Sequence, residues 1–555
     1  MSAGRYSPRS SHDSDDSLRA LELTEGPLGG YSAGLHGSGT HPPRSYSVSG
    51  FQFESDLFQL TSTLDDPGKE ESGELGGEKR IGFMKGVALC VGSQVGSGIF
   101  SSPGIVIANA QSVGASLTVW VAAGILAWTG ASSFAELGAS IPVNGGTQAY
   151  LAYAYGPLIS YLYTWTSITL KPGANAVIGL IFAEYTNRLL FHTTSADVSP
   201  DSIPQWAIRV TAIISVLLVT TLCVATPSLG THAAVVFTTV KVCALGLVCI
   251  LGIIHIARGK ASTSLTEPLF ANSSTSPTSY ALAFYSGLWA FDGWDQANYV
   301  GGEVKDPQKN LPRVIHFSMF LVMILFSFTN VAYFAVLDKD TVARSNTVAL
   351  DFGRALFGPF GGAFFAVVVA ISCLGAMNGS FFTAARLIYV AGKEGYLPSL
   401  FGTLNPRLKT PLNAMLLQAV VTIAFICFGD GFRSLINFAV ILSWLAYFLT
   451  VLGLVVLRIK EPSLERPYKT WIITPLIFCA VALFLLCMPV LAAPLQSLGV
   501  IGFVSLGIPV YYITQSNGDM PRIFDFFGRF RSRPDVGSGW QAVATEEVEM
   551  SQSRQ

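Results

Sequence analysis

The chain has 555 residues, half of them apolar and only 12% charged, about half the charged share of an ordinary soluble domain. A protein of this size with so little charge cannot cover its own surface in water. Its formal net charge of −1 excludes a surface basic enough to track a phosphate backbone, so no nucleic-acid partner is expected.

Residues 1–80 are rich in Ser, Gly, Asp and Pro and cannot bury enough apolar surface to order themselves. They contain no early apolar run of the signal-peptide kind. They read as a disordered cytosolic tail. Residues 514–555, with Arg522, Arg529, Arg531 and Arg533 and then an acidic end, read as a second one. Between the tails, 81–513 reads as an all-α polytopic membrane domain.

Twelve apolar runs are long enough to cross a hydrocarbon core that needs about 20 helical residues. They span 81–107, 113–140, 153–185, 206–225, 231–257, 279–301, 314–337, 359–392, 412–428, 433–457, 471–489 and 494–513. An even number puts both termini on one side. The Lys and Arg of the loops after runs 6, 8 and 10, among them Lys305, Lys309, Arg458 and Arg466, make that side cytosolic. Asn272-Ser273-Ser274 is then a glycosylation sequon in an outer loop. The eight cysteines fall inside apolar runs with no CxxC pair. They read as small apolar residues, not as disulfides or metal ligands, and no metal or cofactor is expected.

Two runs are interrupted in the middle. The first contains Gly92-Ser93-Gln94-Val95-Gly96-Ser97-Gly98. Close helix packing through small residues is one explanation. An unwound segment is the other: it frees N–H groups at a half-helix N-terminus, which suit a carboxylate, and carbonyls, which suit an ammonium. The sixth run contains Ser286-Gly287-Leu288-Trp289-Ala290-Phe291-Asp292-Gly293-Trp294-Asp295. Breaks in runs 1 and 6 occupy equivalent places if runs 1–5 and 6–10 are inverted repeats. Paired interruptions of that kind point to a transporter's midplane site.

Lys241 stands inside the fifth run. It either snorkels to the inner face or occupies a coupling-ion position facing the interior, where it can bind and release a proton. Asp292 and Asp295, beside the second break, are further ion-coupling candidates. Glu136 and Glu184, near helix ends, read as interfacial or structural.

Several ordered motifs carry a resemblance: VGSQVGSGIFSSPGIV, SSFAELGASIPVNGGTQAYL, KPGANAVIGLIFAEY, YSGLWAFDGWDQANYVGGEVKDPQKNLPRVI, NGSFFTAARLIYVAGKEGYLPSLF and ERPYK. Over almost all of 80–513 they resemble the L-type amino acid transporter branch of the amino acid–polyamine–organocation superfamily, and within it fungal methionine-type permeases most. The resemblance implies a LeuT-like fold of five plus five helices in inverted repeat, with two more at the C-terminus. It implies a permease for neutral amino acids, methionine or another large apolar one, proton-coupled and working by alternating access in the plasma membrane.

By the same resemblance, backbone around Gly96, Ser97 and Gly98 takes the substrate carboxylate. Carbonyls at Trp289, Ala290 and Phe291, with others from the start of the first break, take the amine; Val95 and Gly293 complete the substrate-binding backbone, and Trp289 gates the site. Leu170, Ala174, Ala439 and Trp444 line the side-chain pocket, and Lys241 stands in for a sodium ion. Three departures qualify this. The loop NRLLFHTTSADVSPDSIPQW lacks the Cys that would link a glycoprotein heavy chain, so no disulfide-linked partner is expected. Asp292 replaces a small residue, and Asp295 stands where neutral exchangers often carry Asn. Exchange of one amino acid for another, and a sensor that binds without transport, are the alternatives. No nucleophile elbow, metal cluster or phosphate loop supports an enzyme.

Overall fold

The first apolar run forms two helices. In the computed structural model α1 (Phe83–Gln94) and α2 (Gly98–Ala110) meet at 44° across three non-helical residues. The structure describes residues 81–143, 145–192, 203–225, 229–393, 396–405, 410–429, 432–492 and 494–515. Residues 1–80 and 516–555 of the two tails, and 193–202 of the loop expected to lack a linking Cys, therefore lie outside the described residues.

After α2 come α3 (Val113–Ser140), α4 (Thr147–Tyr155), α5 (Pro157–His192), α6 (Gln205–Ala225) and α7 (Leu229–Ala257). The second half follows with α8 (Pro277–Phe291), α9 (Gln296–Tyr299), α10 (Pro307–Val336) and α11 (Lys339–Arg344). The last helices are α12 (Val348–Lys393), α13 (Leu412–Phe428), α14 (Phe432–Lys460), α15 (Ile473–Ala492) and α16 (Pro494–Gln515). No strand occurs among the described residues; a single bridge pairs Ile81 with Val304.

Three expected boundaries are corrected. The third run divides at Gly156, and α5 starts on Pro157 and continues seven residues past the expected 185. The sixth run stops being helical at Phe291. The eighth begins eleven residues early and bends at Gly358, ahead of Pro359.

Among the described residues six helices are long and apolar enough to cross a bilayer: α3, α6, α7, α10, α12 and α14. The bent α1–α2 pair makes a seventh. Large apolar side chains such as Ile214 on α6, Ile250 on α7, Phe320 on α10 and Val420 on α13 are exposed on the outside of the bundle. That suits a lipid solvent, in which helices satisfy their own backbone. The chain is an integral, multi-pass membrane protein.

Polar ties close the two ends of the bundle. At one end Ser112 caps α3, its Oγ accepting from Ala115 N–H at 3.2 Å, and bonds Ser273 at 2.7 Å. The sequon residue Asn272 is exposed there. At the other end Glu136 of α3 is fully buried. Arg458 of α14 donates to it at 3.0 and 2.5 Å, Thr470 N–H donates at 2.8 Å, and Arg466 stands at 3.6 Å. Glu136 is thus structural. Removing one member of a buried pair strands the other charge at a cost of about 3–5 kcal/mol. Glu136→Ala is therefore expected to lower the melting temperature of the purified protein by several degrees. An unchanged melt would remove Glu136 from the framework.

Candidate functional site

The two breaks lie against each other. A Cβ built on Gly98 would stand 2.6 Å from Ala290 Cα, and one on Gly293 would stand 2.9 Å from Ser93 Cβ. No real side chain tolerates such distances, so the start of α2 packs backbone to backbone on the end of α8. Gly293 has φ +106°, a conformation that favours glycine. Both explanations of the first glycine cluster hold together: the segment is unwound, and its flanking glycines admit close neighbours, Gly92 against Thr238 and Gly98 against Ala290.

Ser97 opens α2 without a side-chain cap bond, and helix geometry leaves the first N–H groups of any helix without an intrahelical acceptor. The Ser97 carbonyl is engaged instead, accepting from Phe100 N–H at 3.2 Å and Ser101 Oγ at 3.1 Å. Gly96 has open space on its Cβ side, with only Ser93 O at 3.7 Å. Across from it α8 ends as Asp292 N–H donates to Trp289 O at 3.3 Å. Phe134, Trp294 and Tyr447 enclose the second break, with ring centres 4.7–5.8 Å apart.

Leu170 of α5 and Ala439 of α14 share an apolar cluster with Leu442 and Val500, and Trp289 packs against it. Trp444 stands outside that cluster. Its ring stacks on Phe478 of α15 at 5.2 Å and meets Tyr447 edge-on at 6.3 Å. Ala174, one turn after Leu170, is half-buried.

Charge gathers behind both breaks. Lys241 is 2% exposed and donates from Nζ to Gly92 O at 3.4 Å. It faces the interior and holds the last turn of α1; it does not snorkel. Asp292 and Asp295 share one hydroxyl: Tyr447 Oη lies 2.7 Å from Asp292 Oδ1 and 3.3 Å from Asp295 Oδ2. Glu184, one turn from Arg188, is half-buried near the end of α5. Arg188 itself pairs with Asp351 at 3.8 Å.

The structure adds residues that the sequence did not single out. Tyr447 bridges the carboxylates. Lys171 lies 5.8 Å from the Tyr299 ring centre and within the field of Asp292 and Asp295. A cavity lies beside it, lined also by Tyr163, Thr383 and Leu387. Tyr163 and Tyr299 join hydroxyls there at 2.7 Å. The only sequence signal was Lys171 itself, a charge inside an apolar run.

Residues 81–511 match the family model of the amino acid permeases. The chain belongs to that family. Within it the chain falls in the L-type amino acid transporter branch. It is 37% identical to the b(0,+)-type amino acid transporter 1 of Mus musculus over 438 residues, covering 79% of this chain and 88% of the relative. It is 34% identical to the cystine/glutamate transporter of Homo sapiens over 450 residues, covering 80% and 87%. The large neutral amino acids transporter small subunit 2 of Mus musculus is 34% identical over 452 residues, covering 81% and 83%. This permease is accordingly an amino acid transporter, not an enzyme. Its abutting breaks sit where backbone groups of both halves converge.

Proposed function

We propose that this permease carries neutral L-amino acids with apolar side chains, methionine among them, across the plasma membrane by alternating access, coupled to a proton. The abutment of the two breaks carries the reading, because one small volume then offers amide donors and carbonyl acceptors together. The substrate carboxylate sits on the uncapped start of α2 around Gly96, Ser97 and Gly98, where the helix dipole and the N–H groups of the first turn favour an anion. The N–H groups of Val95 and Gly96 are already given to Val91 O and Gln94 O at 2.8 Å, so Val95 borders the site without donating to it. Carbonyls at Trp289, Ala290 and Phe291, next to Gly293, take the ammonium. The side chain lies against Leu170 and Ala439 under Trp289, with Ala174 and Trp444 at its margins. That wall is apolar and suits an uncharged side chain.

Lys241, Asp292 and Asp295 handle the coupling proton. Two carboxylates on one hydroxyl repel one another unless a proton or another cation lies between them. Twelve spans, ten of them in two inverted repeats of five and two more at the C-terminus, would put both termini in the cytosol and Asn272, as a glycosylation site, outside. In this arrangement no disulfide-linked heavy chain is needed.

The test is uptake of radiolabelled methionine into proteoliposomes, with and without an inward proton gradient. Gradient-driven accumulation is expected. Uptake only into vesicles preloaded with amino acid would replace symport with exchange, and tight binding without flux would replace transport with sensing.

A further inference from the structure

The end of the bundle that holds Arg458 and Arg466 carries a chain of hydrogen bonds separate from the substrate site. Trp128 of α3 donates its indole N–H to His316 Nδ1 of α10 at 2.8 Å. His316 Nε2 lies 2.7 Å from Tyr468 Oη. Tyr468 Oη lies 2.9 Å from Ser132 Oγ, which lies 2.9 Å from Thr470 Oγ1. The Thr470 backbone then donates to Glu136 and accepts from Arg458 at 2.6 Å. The row straps segment 461–472, which leads into α15, onto α3 and α10.

The direction of these bonds fixes the state of the ring. An indole N–H only donates, so Nδ1 accepts and the single ring proton sits on Nε2, donating to Tyr468. His316 holds the strap only as a neutral imidazole. A second proton on Nδ1 would set one N–H against another and leave Trp128 without its acceptor. Histidine is the side chain whose charge ordinarily changes between pH 5 and 8.

No charge nearby offsets that proton. From α3 the ring meets Trp128; one step further along the row stand Ser132, which bonds Tyr468, and Glu136, which is committed to Arg458 and Arg466. Segment 461–472 presents Tyr468, with Lys469 exposed beside it. On α10 itself Lys309 and Arg313 are exposed, as is Lys85 of α1, which packs through Phe83 against Phe317. Among the described residues no carboxylate stands within ion-pair distance of His316.

We propose that His316 is a regulatory proton site. A proton arriving from the side faced by segment 461–472 releases Trp128, loosens the strap and speeds opening of that end. The consequence for rate rests on the alternating-access reading; the strap itself does not.

Two substitutions fix the strap in opposite states. In His316→Gln the amide oxygen can accept from Trp128 while the amide nitrogen donates to Tyr468, and no second proton can bind. In Trp128→Phe the donor is gone. Melting temperature in detergent and amino acid flux in proteoliposomes are measured with the segment's side at pH 7.5, 6.5 and 5.5. In the wild type, acidification is expected to lower the melting temperature by several degrees and to raise flux about threefold to tenfold, the scale of one hydrogen bond. His316→Gln is expected to stay at the neutral-pH values throughout, and Trp128→Phe at the acid values. A wild-type pH response surviving in either variant overturns the proposal. If the wild type moves no amino acid at any pH, the transport reading fails, and the melting curves alone decide whether the strap releases on protonation.

Discussion

Gly98→Val is expected to reduce uptake at least a hundredfold in protein that still reaches the membrane. The sequence suggests that a branched side chain there crowds a carboxylate. The structure supplies a stronger reason: even the first added carbon would stand 2.6 Å from Ala290 Cα and 2.9 Å from its Cβ. The neighbour is backbone in a helix and cannot turn aside as a flexible side chain does. Valine therefore forces α2 away from α8 and separates the groups proposed to hold the two ends of the substrate. A displacement of about 1 Å is enough to cost two orders of magnitude in a preorganised site. Gly96→Ala is the companion variant. Its added carbon meets only Ser93 O at 3.7 Å, an ordinary contact, so it is expected to melt like the wild type while raising KM. Normal uptake in Gly98→Val, with surface expression confirmed, would refute the abutting breaks as the site.

Much of this arrangement is legible before any coordinates, for identifiable reasons. Apolar runs 113–140 and 412–428 coincide with α3 and α13, because lipid-facing helices are written as uninterrupted apolar stretches. Glycine and carboxylate in mid-run mark both breaks, since a continuous helix gains nothing from them. What stays hidden is long-range. Nothing local in LSWLAYFLT says that Tyr447 meets two carboxylates more than 150 residues away. Trp444 reads as a pocket residue, yet α15 supplies Phe478 as its stacking partner. Only the tertiary packing of α14 on α15 decides which way that indole turns. The count of spans also resists reading. α5 is long, but it carries Lys171, Glu184 and Arg188, whose polar partners are visible only once the bundle is assembled. Paired Trp128 and His316 lie 188 residues apart, and each alone is an unremarkable residue in an apolar helix.

Asp295→Asn is expected to abolish gradient-driven accumulation while leaving exchange of substrate across the membrane within about threefold of wild type. Asp295 is 2% exposed, and among the described residues no Lys, Arg or His stands within 4 Å of its carboxylate. Its neighbours are instead the Tyr447 hydroxyl, which it shares with Asp292, and the Gln296 amide at 3.5 Å. Tyr447 has one proton to give, so it cannot satisfy both carboxylates at full strength. A proton shared by the pair relieves the repulsion, and an amide at either position removes the need for one. Lys241 is the competing carrier. Its hydrogen bond goes to a carbonyl, Gly92 O at 3.4 Å; a neutral amine still donates to that oxygen, though more weakly than an ammonium, so loss of its proton would loosen the first break without undoing it. In the proposed coupling the carboxylates carry the proton itself, while Lys241, through Gly92 O, holds α1 in the position that coupling needs. Tyr447→Phe separates the roles further. Removing a hydrogen bond to a charged group costs about 1.5–3 kcal/mol, which should shift the pH dependence of accumulation without abolishing it. Accumulation that survives in Asp295→Asn but disappears in Lys241→Ala would move the proton to α7 and leave the aspartates a purely structural role.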